Sequence, residues 1–344
     1  MKTAIMIEIN KIEIKDTPKP APKQGELLIK LCSVGICGSD IHYYKDGRIG
    51  DFVVNAPIIL GHEASGIVEE VGEGITSFKV GDRVALEPGI PCNNCEHCFK
   101  GNYNLCEDVV FFATPPIDGV FCEYVAHPAN FCFKLPDSVS FDEGAMVEPL
   151  AIGFHAAEIA NATVGQKAIV FGAGAIGLVS LLALKAYGVS EIYVVDSVEN
   201  RLNKALELGA TGIINFTKTD ILANFSEIDL ILETSGSEIA ANQAIRIAKK
   251  GAKIVMIGYP HSGKMNLDMS VAINKELEFK TIFRYRHMFP KVISAISKGI
   301  INIKPLISHR YNFDNIVEAM EQVANDKESI TKAVIQIYNN EGDV

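Results

Sequence analysis

The stretch Phe171-Gly172-Ala173-Gly174-Ala175-Ile176-Gly177 narrows the possible folds more than any other in the chain. It follows a short apolar run at 168–171 and opens an uncharged segment of helical composition. A strand that turns through G-x-G-x-x-G into a helix marks a dinucleotide-binding unit. Two glycines permit the tight turn and the approach of a pyrophosphate to backbone N–H groups, and the third lets helix and strand pack closely. The surrounding residues agree with this reading. Apolar runs recur at 168–171, 192–195, 212–214, 229–232, 253–257 and 279–283, with helical segments such as 201–208 and 238–249 between them. Short buried strands joined by helices predict an α/β domain over residues 151–284, a doubly wound parallel sheet of the Rossmann type.

Asp196 ends the second of these strands. A carboxylate there accepts the ribose hydroxyls of NAD and repels a 2′-phosphate, so NAD is expected over NADP. Ser197 stands where an NADP enzyme often has Arg, and Arg201 falls in the next helix, within reach of an adenine or the groove beside it. Asp196 can also cap that helix, a role compatible with ribose binding.

Residues 1–150 read differently. Ile7, Ile9, Ile12 and Ile14 sit among charges, 27–31 is a β-type run, and Gly, Pro and Asp punctuate the text. After residue 284 come a helix at 289–298, an extended stretch at 301–309, another helix and a β run at 333–338. These tail strands are expected to lack crossover partners and to rejoin the first domain. The division predicted is therefore 1–150 with 285–344 as one domain and 151–284 as the other, in keeping with the 344-residue length.

Acidic residues outnumber basic ones by 42 to 32, for a net charge of −10, and no Lys/Arg-rich run offsets them. Nucleic acid and anionic membranes are poor partners for such a surface. Residues 3–7 form only a short apolar stretch before Glu8, unlike a signal peptide, and the uncharged segment 168–184 is short of the ~20 residues of a spanning helix. A cytoplasmic location is expected, and with it cysteines that serve as thiols or metal ligands rather than disulfides.

Cys92-x2-Cys95-x2-Cys98-x7-Cys106 places four soft donors within a lobe, 91–107, that has little core of its own. A closed tetrahedral zinc site fits this spacing. An iron–sulfur cluster of the bacterial type would have a shorter last interval followed by Pro, whereas Glu107 follows here. A second set is dispersed: Gly35-Ile36-Cys37-Gly38-Ser39-Asp40-Ile41-His42, then Leu60-Gly61-His62-Glu63. One thiolate, one imidazole and one carboxylate make a three-donor zinc site with an open position, as catalysis by a metal requires. Taken singly, Cys37 reads as a buried thiol and His62-Glu63 as a surface pair; the cofactor domain and the second cysteine set turn the balance.

Together these residues resemble the zinc-containing medium-chain dehydrogenases, and within them the sorbitol (L-iditol 2-) and xylitol dehydrogenase branch. The resemblance spans nearly the whole chain. Segments 35–40, 61–66 and 80–84 and the glycine fingerprint are shared across the superfamily. His42-Tyr43-Tyr44 with Gly47-Arg48-Ile49-Gly50, Phe111-Phe112-Ala113-Thr114-Pro115-Pro116, Glu148-Pro149 and Phe283-Arg284-Tyr285 carry the branch.

The resemblance implies a GroES-like β-barrel catalytic domain, a cleft against the Rossmann domain, and a homotetramer, with a dimer as the alternative. It implies two zinc ions per chain, a structural one on Cys92, Cys95, Cys98 and Cys106 and a catalytic one on Cys37, His62 and Glu63, which Glu148 reaches directly or through water. Tyr43, Phe111, Thr114, Glu148, Arg284 and Tyr285 would line a polyol pocket. Gly172, Gly174, Ile176, Gly177, Asp196, Arg201, the Gly258-Tyr259-Pro260 turn and Phe283 to Tyr285 would contact NAD. The proton would pass to solvent through Ser39, the NAD ribose and His42, or through the zinc-bound water and Glu148, although His42 also reads as a structural hydrogen-bond partner in its turn. Simple alcohol dehydrogenases of the superfamily use a second cysteine as third ligand, and residues 146–155 contain none. L-threonine 3-dehydrogenase, a 2,3-butanediol-type secondary alcohol dehydrogenase and a non-catalytic NAD-binding protein on the same fold are the rival readings.

Overall fold

The computed structural model describes residues 1–55, 57–260, 263–326 and 328–338. The chain forms two compact units. One comprises Met1–Glu148 with Phe289–Ser297 and Ile307–Val344, and the other Pro149–Met288 with Lys298–Leu306.

The first unit is built on a seven-stranded sheet. Its central path runs Cys132–Lys134, Arg83–Leu86, Glu63–Val71, Glu26–Gly35, Ala333–Gln336, His309–Asn312, and Tyr124–Pro128 also pairs with Glu26–Gly35. Glu26–Gly35 is long and buried along nearly its whole length, with Leu27, Ile29, Leu31 and Val34 inaccessible, so it can organise partners on both sides. A three-stranded sheet of Lys11–Asp16, Lys2–Glu8 and Ile58–Ile59 adds Ala4, Met6, Ile12 and Ile58 to the same core.

Two registers of the long strand matter for function. Gly35 pairs with Glu63 on one side and with Val334 on the other. The chain just before Cys37, the His62-Glu63 step and the chain around Lys332 are thereby brought to one place. The tail corrects one sequence expectation. His309–Asn312 and Ala333–Gln336 pair in parallel, which an antiparallel hairpin cannot supply, and helix Ile316–Asn325 lies between them as the crossover. The tail strands thus do have crossover mates, while Ala333–Gln336 joins the first unit's sheet through Glu26–Gly35.

The second unit holds a six-stranded parallel sheet. Numbered by position in the chain, its strands Lys167–Phe171, Glu191–Asp196, Gly212–Asn215, Ile228–Glu233, Ala248–Met256 and Glu278–Thr281 lie in the order 3-2-1-4-5-6. That is the doubly wound order whose reversal between the first and fourth strands leaves a crevice at their carboxyl ends. One boundary differs from the sequence reading: the helix expected at 238–249 ends at Ile247, and Ala248 already begins the fifth strand. Lys275 Nζ donates to the carbonyls of Ile245, Arg246 and Ala248, satisfying the helix end that the early stop exposes.

Candidate active site and metal centres

Among the described residues, Cys37, His62 and Glu63 bring one donor atom each to within 4.8 Å of one another. Cys37 caps the N-terminus of helix Gly38–Asp46, and His62 and Glu63 enter strand Glu63–Val71 after the left-handed turn at Gly61. His62 is buried and Glu63 is fully buried. Gly35 is required here, since a Cβ on it would lie 2.0 Å from Glu63 Oε2.

Two buried charges of opposite sign hold these segments. Asp40, at the third position of the helix, accepts hydrogen bonds from the backbone N–H of Cys37 (2.9 Å) and of Gly61 (2.9 Å), and its Oδ1 lies 3.7 Å from His62 Nδ1. Burial opposes a proton on His62, but the charges of Asp40 and Cys37 outweigh it and raise the imidazole well above its ordinary range. On the other side, Lys332 Nζ donates to Glu63 Oε1 at 2.6 Å, lies 2.5 Å from Oε2, and donates to the Ile36 carbonyl at 2.9 Å. Sequence reasoning assigned neither residue a role. Asp40 was detectable as the partner of Cys37 in a capping box, and Lys332 as the one charge beginning an apolar β run.

The other residues expected near this site have the following positions. Glu148 is buried in the first turn of helix Val147–Ile159 and is not part of the three-donor group. Phe111 is buried with its ring centroid 5.9 Å from that of His62. Thr114 is half-buried in the turn that follows, donating its N–H to the Phe111 carbonyl at 3.1 Å, and Ala113 before it has a left-handed backbone. Tyr43 is buried in the first unit's core. Ser39 is half-buried in the first turn of its helix, while His42 is exposed on the same helix with Nδ1 3.3 Å from Asp46 Oδ2.

The four-cysteine lobe is assembled differently. Its ends are tied by the two-residue pairing of Gly89–Ile90 with Val110–Phe111. Between them the four sulfurs of Cys92, Cys95, Cys98 and Cys106 converge to within 4.8 Å, and all four are unpaired thiols. The Asn94 backbone N–H, helped by neighbouring thiols, lowers Cys92 to about 7, so a thiolate forms readily at that donor. A side-chain bond links the lobe to the end of the sheet strand Arg83–Leu86: Tyr103 Oη donates to the buried Glu87 Oε1 at 2.8 Å. Burial pushes Glu87 up to about 7 despite that bond, and the charge of Glu148 pushes in the same direction.

The second unit places the glycine fingerprint as expected. Gly172 has φ 95°, and Gly174 caps helix Ala175–Ala186, in which Ile176 is half-buried. A Cβ on Gly177 would meet the Gly172 carbonyl at 1.8 Å, which is why helix and strand can close only around glycine. Asp196 ends its strand and accepts from the N–H of Ala173 (2.7 Å), Ser197 (2.7 Å) and Val198 (2.9 Å). Its carboxylate therefore fixes the glycine turn and the next helix entry, and Val198 is that helix's cap. Arg201 lies half-buried in helix Glu199–Glu207. Gly258 packs against the turn after the fourth strand, where its added Cβ would meet Gly236 N at 2.2 Å. Tyr259 is exposed beside it and Pro260 half-buried. Phe283 and Arg284 are half-buried, with the guanidinium 4.8 Å from the Phe283 ring, Arg284 has φ 55°, and Tyr285 is buried.

Residues 23–137 match the alcohol dehydrogenase GroES-like domain, and residues 175–298 match the zinc-binding dehydrogenase domain. Sorbitol dehydrogenase of Bacillus subtilis (strain 168) is 40% identical over 346 residues, covering 99% of this chain and 98% of its own. The chain belongs to the zinc-containing medium-chain dehydrogenases, in the branch that holds the sorbitol dehydrogenases. A dehydrogenase of unknown specificity from Escherichia coli has the same fold at a TM-score of 0.94 and 40% identity, over 98% of this chain and 99% of that one. An alcohol dehydrogenase from E. coli CFT073, solved in complex with NADH, follows at a TM-score of 0.92 and 31% identity over 98% and 99%. For this dehydrogenase both donor sets suit zinc: four converging thiols form a closed set, and a thiol, an imidazole whose buried Nδ1 makes no hydrogen bond, and a carboxylate form an open one.

Proposed function

We propose that the enzyme oxidises a polyol at C2 to the ketose, as in sorbitol to fructose or xylitol to xylulose, with NAD as hydride acceptor. The observation that carries this reading is the donor set itself. Glu63 completes Cys37 and His62, and no cysteine stands in 146–155 to make the ligand set of a simple alcohol dehydrogenase. When bound, zinc supplies a Lewis acid that polarises the substrate hydroxyl and eases loss of its proton. Cys37, His62 and Glu63 hold the metal, Asp40 and Lys332 keep their segments together, and Glu148 is the nearby carboxylate for the metal's open side. Ser39 and His42 carry the proton outward, and Asp46 orients the His42 ring. Tyr43, Phe111, Thr114, Arg284 and Tyr285 recognise the polyol; Gly172, Gly174, Gly177 and Asp196 seat NAD, with Ile176, Arg201, Gly258, Tyr259, Pro260 and Phe283 around it. Cys92, Cys95, Cys98 and Cys106 hold a structural zinc.

The division of labour proposed is a catalytic domain of 1–150 with 285–344 and an NAD domain of 151–284. A cytoplasmic homotetramer belongs to the same proposal and rests on the family resemblance; among the described residues no helix is long and apolar enough to cross a membrane.

A panel of substrates with NAD, read as kcat/KM, tests the activity. Sorbitol or xylitol should exceed 2-propanol and L-threonine by about 100-fold or more, because hydroxyl-reading groups are left unpaired by substrates that lack hydroxyls. Threonine or 2,3-butanediol turnover without polyol turnover would replace this assignment, and no NAD reduction with any alcohol would leave a binding protein.

A further inference from the structure

The carboxyl ends of the second unit's strands include a carboxylate with no part in the site described above. Glu233 is the last residue of strand Ile228–Glu233, beside the place where the strand order reverses, and it is fully buried. A strand end inside a core ordinarily carries an apolar side chain, and burial pushes this carboxyl above its usual range. Its donors come from the turn that follows. Oε1 accepts from the Ser235 N–H at 2.8 Å and from the Ser235 hydroxyl, and Oε2 accepts from the Gly236 N–H at 3.1 Å. The Glu233 carbonyl holds a second turn, accepting from the N–H of Ile257 (2.8 Å) and of Gly258 (3.0 Å). The two turns interlock. A Cβ on Gly258 would lie 2.2 Å from Gly236 N, and one on Gly236, where φ is 69°, would lie 2.0 Å from the Tyr259 carbonyl oxygen. One residue therefore sets the shape of both turns. Its neighbour Thr234 serves the glycine turn instead, with Oγ1 donating to the carbonyls of Phe171 (2.7 Å) and Gly172 (3.3 Å).

We propose that Glu233 is a positioning residue for the nicotinamide half of the cofactor, acting through the backbone of the 234–236 and 257–259 turns. The inference rests on the reading of this crevice as the NAD site. A dinucleotide laid across the carboxyl ends has its adenosine ribose at Asp196, ending the second strand, and its pyrophosphate at the glycine turn after the first. The remaining nucleoside then falls over the fourth and fifth strands, whose turns Glu233 holds. A ligand gains affinity where the groups that meet it are already fixed, because no ordering cost is left to the moment of binding. The plainer role is a buried acid that only stabilises its own turn. That role predicts a lower melting temperature, and no distinction between ligands that reach over these two strands and ligands that stop short of them.

Two ligands separate these roles without reference to turnover. NADH spans the whole crevice, whereas ADP ends at the second phosphate and lacks the nucleoside that lies over the fourth and fifth strands. Both are titrated by calorimetry well below the melting temperature of each variant. Glu233→Gln sets an amide N–H against the turn's own N–H groups. The Kd for NADH should rise about tenfold, the scale of losing hydrogen bonds to a charged acceptor, while the Kd for ADP stays within about twofold of native. In Thr234→Val both ligands should weaken together, because the glycine turn serves the phosphates common to both. Should Glu233→Gln fail to fold, Ser235→Ala removes only an exposed hydroxyl donor, and NADH alone should weaken, by about threefold. Equal weakening of NADH and ADP in the Glu233 or Ser235 variant, or no change in either ligand, overturns the proposal. Weakening of NADH alone in Thr234→Val overturns it too, since any disturbance of the segment would then give the same split. If the native protein binds neither ligand, the NAD reading itself fails, an outcome distinct from the others.

Discussion

The two metal centres of the first unit solve opposite problems. The cysteine lobe draws four donors from one short segment, Cys92 to Cys106, in which Cys92, Cys95 and Cys98 are half-buried and Cys106 is buried, and which has two-residue strands at its base. A segment with so little buried of its own is the kind that a structural metal stabilises. The Cys37 centre draws its donors from a helix N-terminus and a sheet strand that are already fixed by the core and by Asp40 and Lys332. On the proposed reading the fold makes the site there, whereas in the lobe the ion would make the fold. Loss of metal should therefore cost stability in one region and chemistry in the other.

The largest effect that could break this contrast is at Cys37. Cys37→Ala should lower kcat/KM for a polyol by about a thousandfold or more, with a melting temperature within a few degrees of native. A collapse of the melting temperature would show that the open site also holds the fold. Cys95→Ser should do the reverse, lowering the melting temperature by about 5 °C or more while the folded fraction still turns over at low temperature. Unchanged thermal unfolding would make the lobe dispensable.

A third comparison sets the metal centres against the cofactor turn. Asp196→Ala with Ser197→Arg should move the NADP/NAD preference by about 10- to 100-fold, removing a carboxylate that repels a 2′-phosphate and adding a cation that pairs with it. Because Asp196 also accepts the Ala173 N–H, activity with NAD should fall in the same variant. A native enzyme that already used both cofactors equally would contradict the role given to Asp196.

The smallest expected effect sharpens the link between lobe and sheet. Glu87, bonded to Tyr103 of the lobe, has its carboxyl raised from 4.5 to about 7 in the fold, chiefly by burial. The fold therefore favours the protonated form. The group costs nothing below its unfolded value and destabilises increasingly as pH rises from about 4.5 toward 7. Glu87→Gln should gain about 2 kcal/mol over native at pH 8 and close to nothing at pH 4, read by denaturant unfolding at both. An equal difference at the two pH values would show that Glu87 does not titrate in this way.

Much of this was legible in the sequence because the relevant signals are local. The turn at Gly172 to Gly177 needs a left-handed residue and a close helix approach, and only spaced glycines provide both. The lobe's four cysteines likewise announce themselves by spacing. The supports of the Cys37 centre do not. Lys332 lies 2.6 Å from Glu63, yet the two are distant in the chain and meet only because Gly35 pairs with Glu63 and Val334 at once. The parallel pairing of His309–Asn312 with Ala333–Gln336 was missed for the same reason, since strand direction depends on where the intervening helix packs. Asp196 shows a third case: its identity pointed to ribose, but its backbone partners at Ala173, Ser197 and Val198 became visible only in three dimensions.

The division between a metal that makes its fold and a fold that makes its metal site is tested most directly by following zinc content, polyol oxidation and thermal unfolding together as a chelator strips the enzyme. Two zinc ions per chain should be present at the start. Activity should fall in step with loss of the ion at Cys37 while the melting temperature holds, and the melting temperature should fall only as the second ion leaves. A fully active preparation holding one zinc or none, or activity and stability lost in a single step with the first ion, would contradict it.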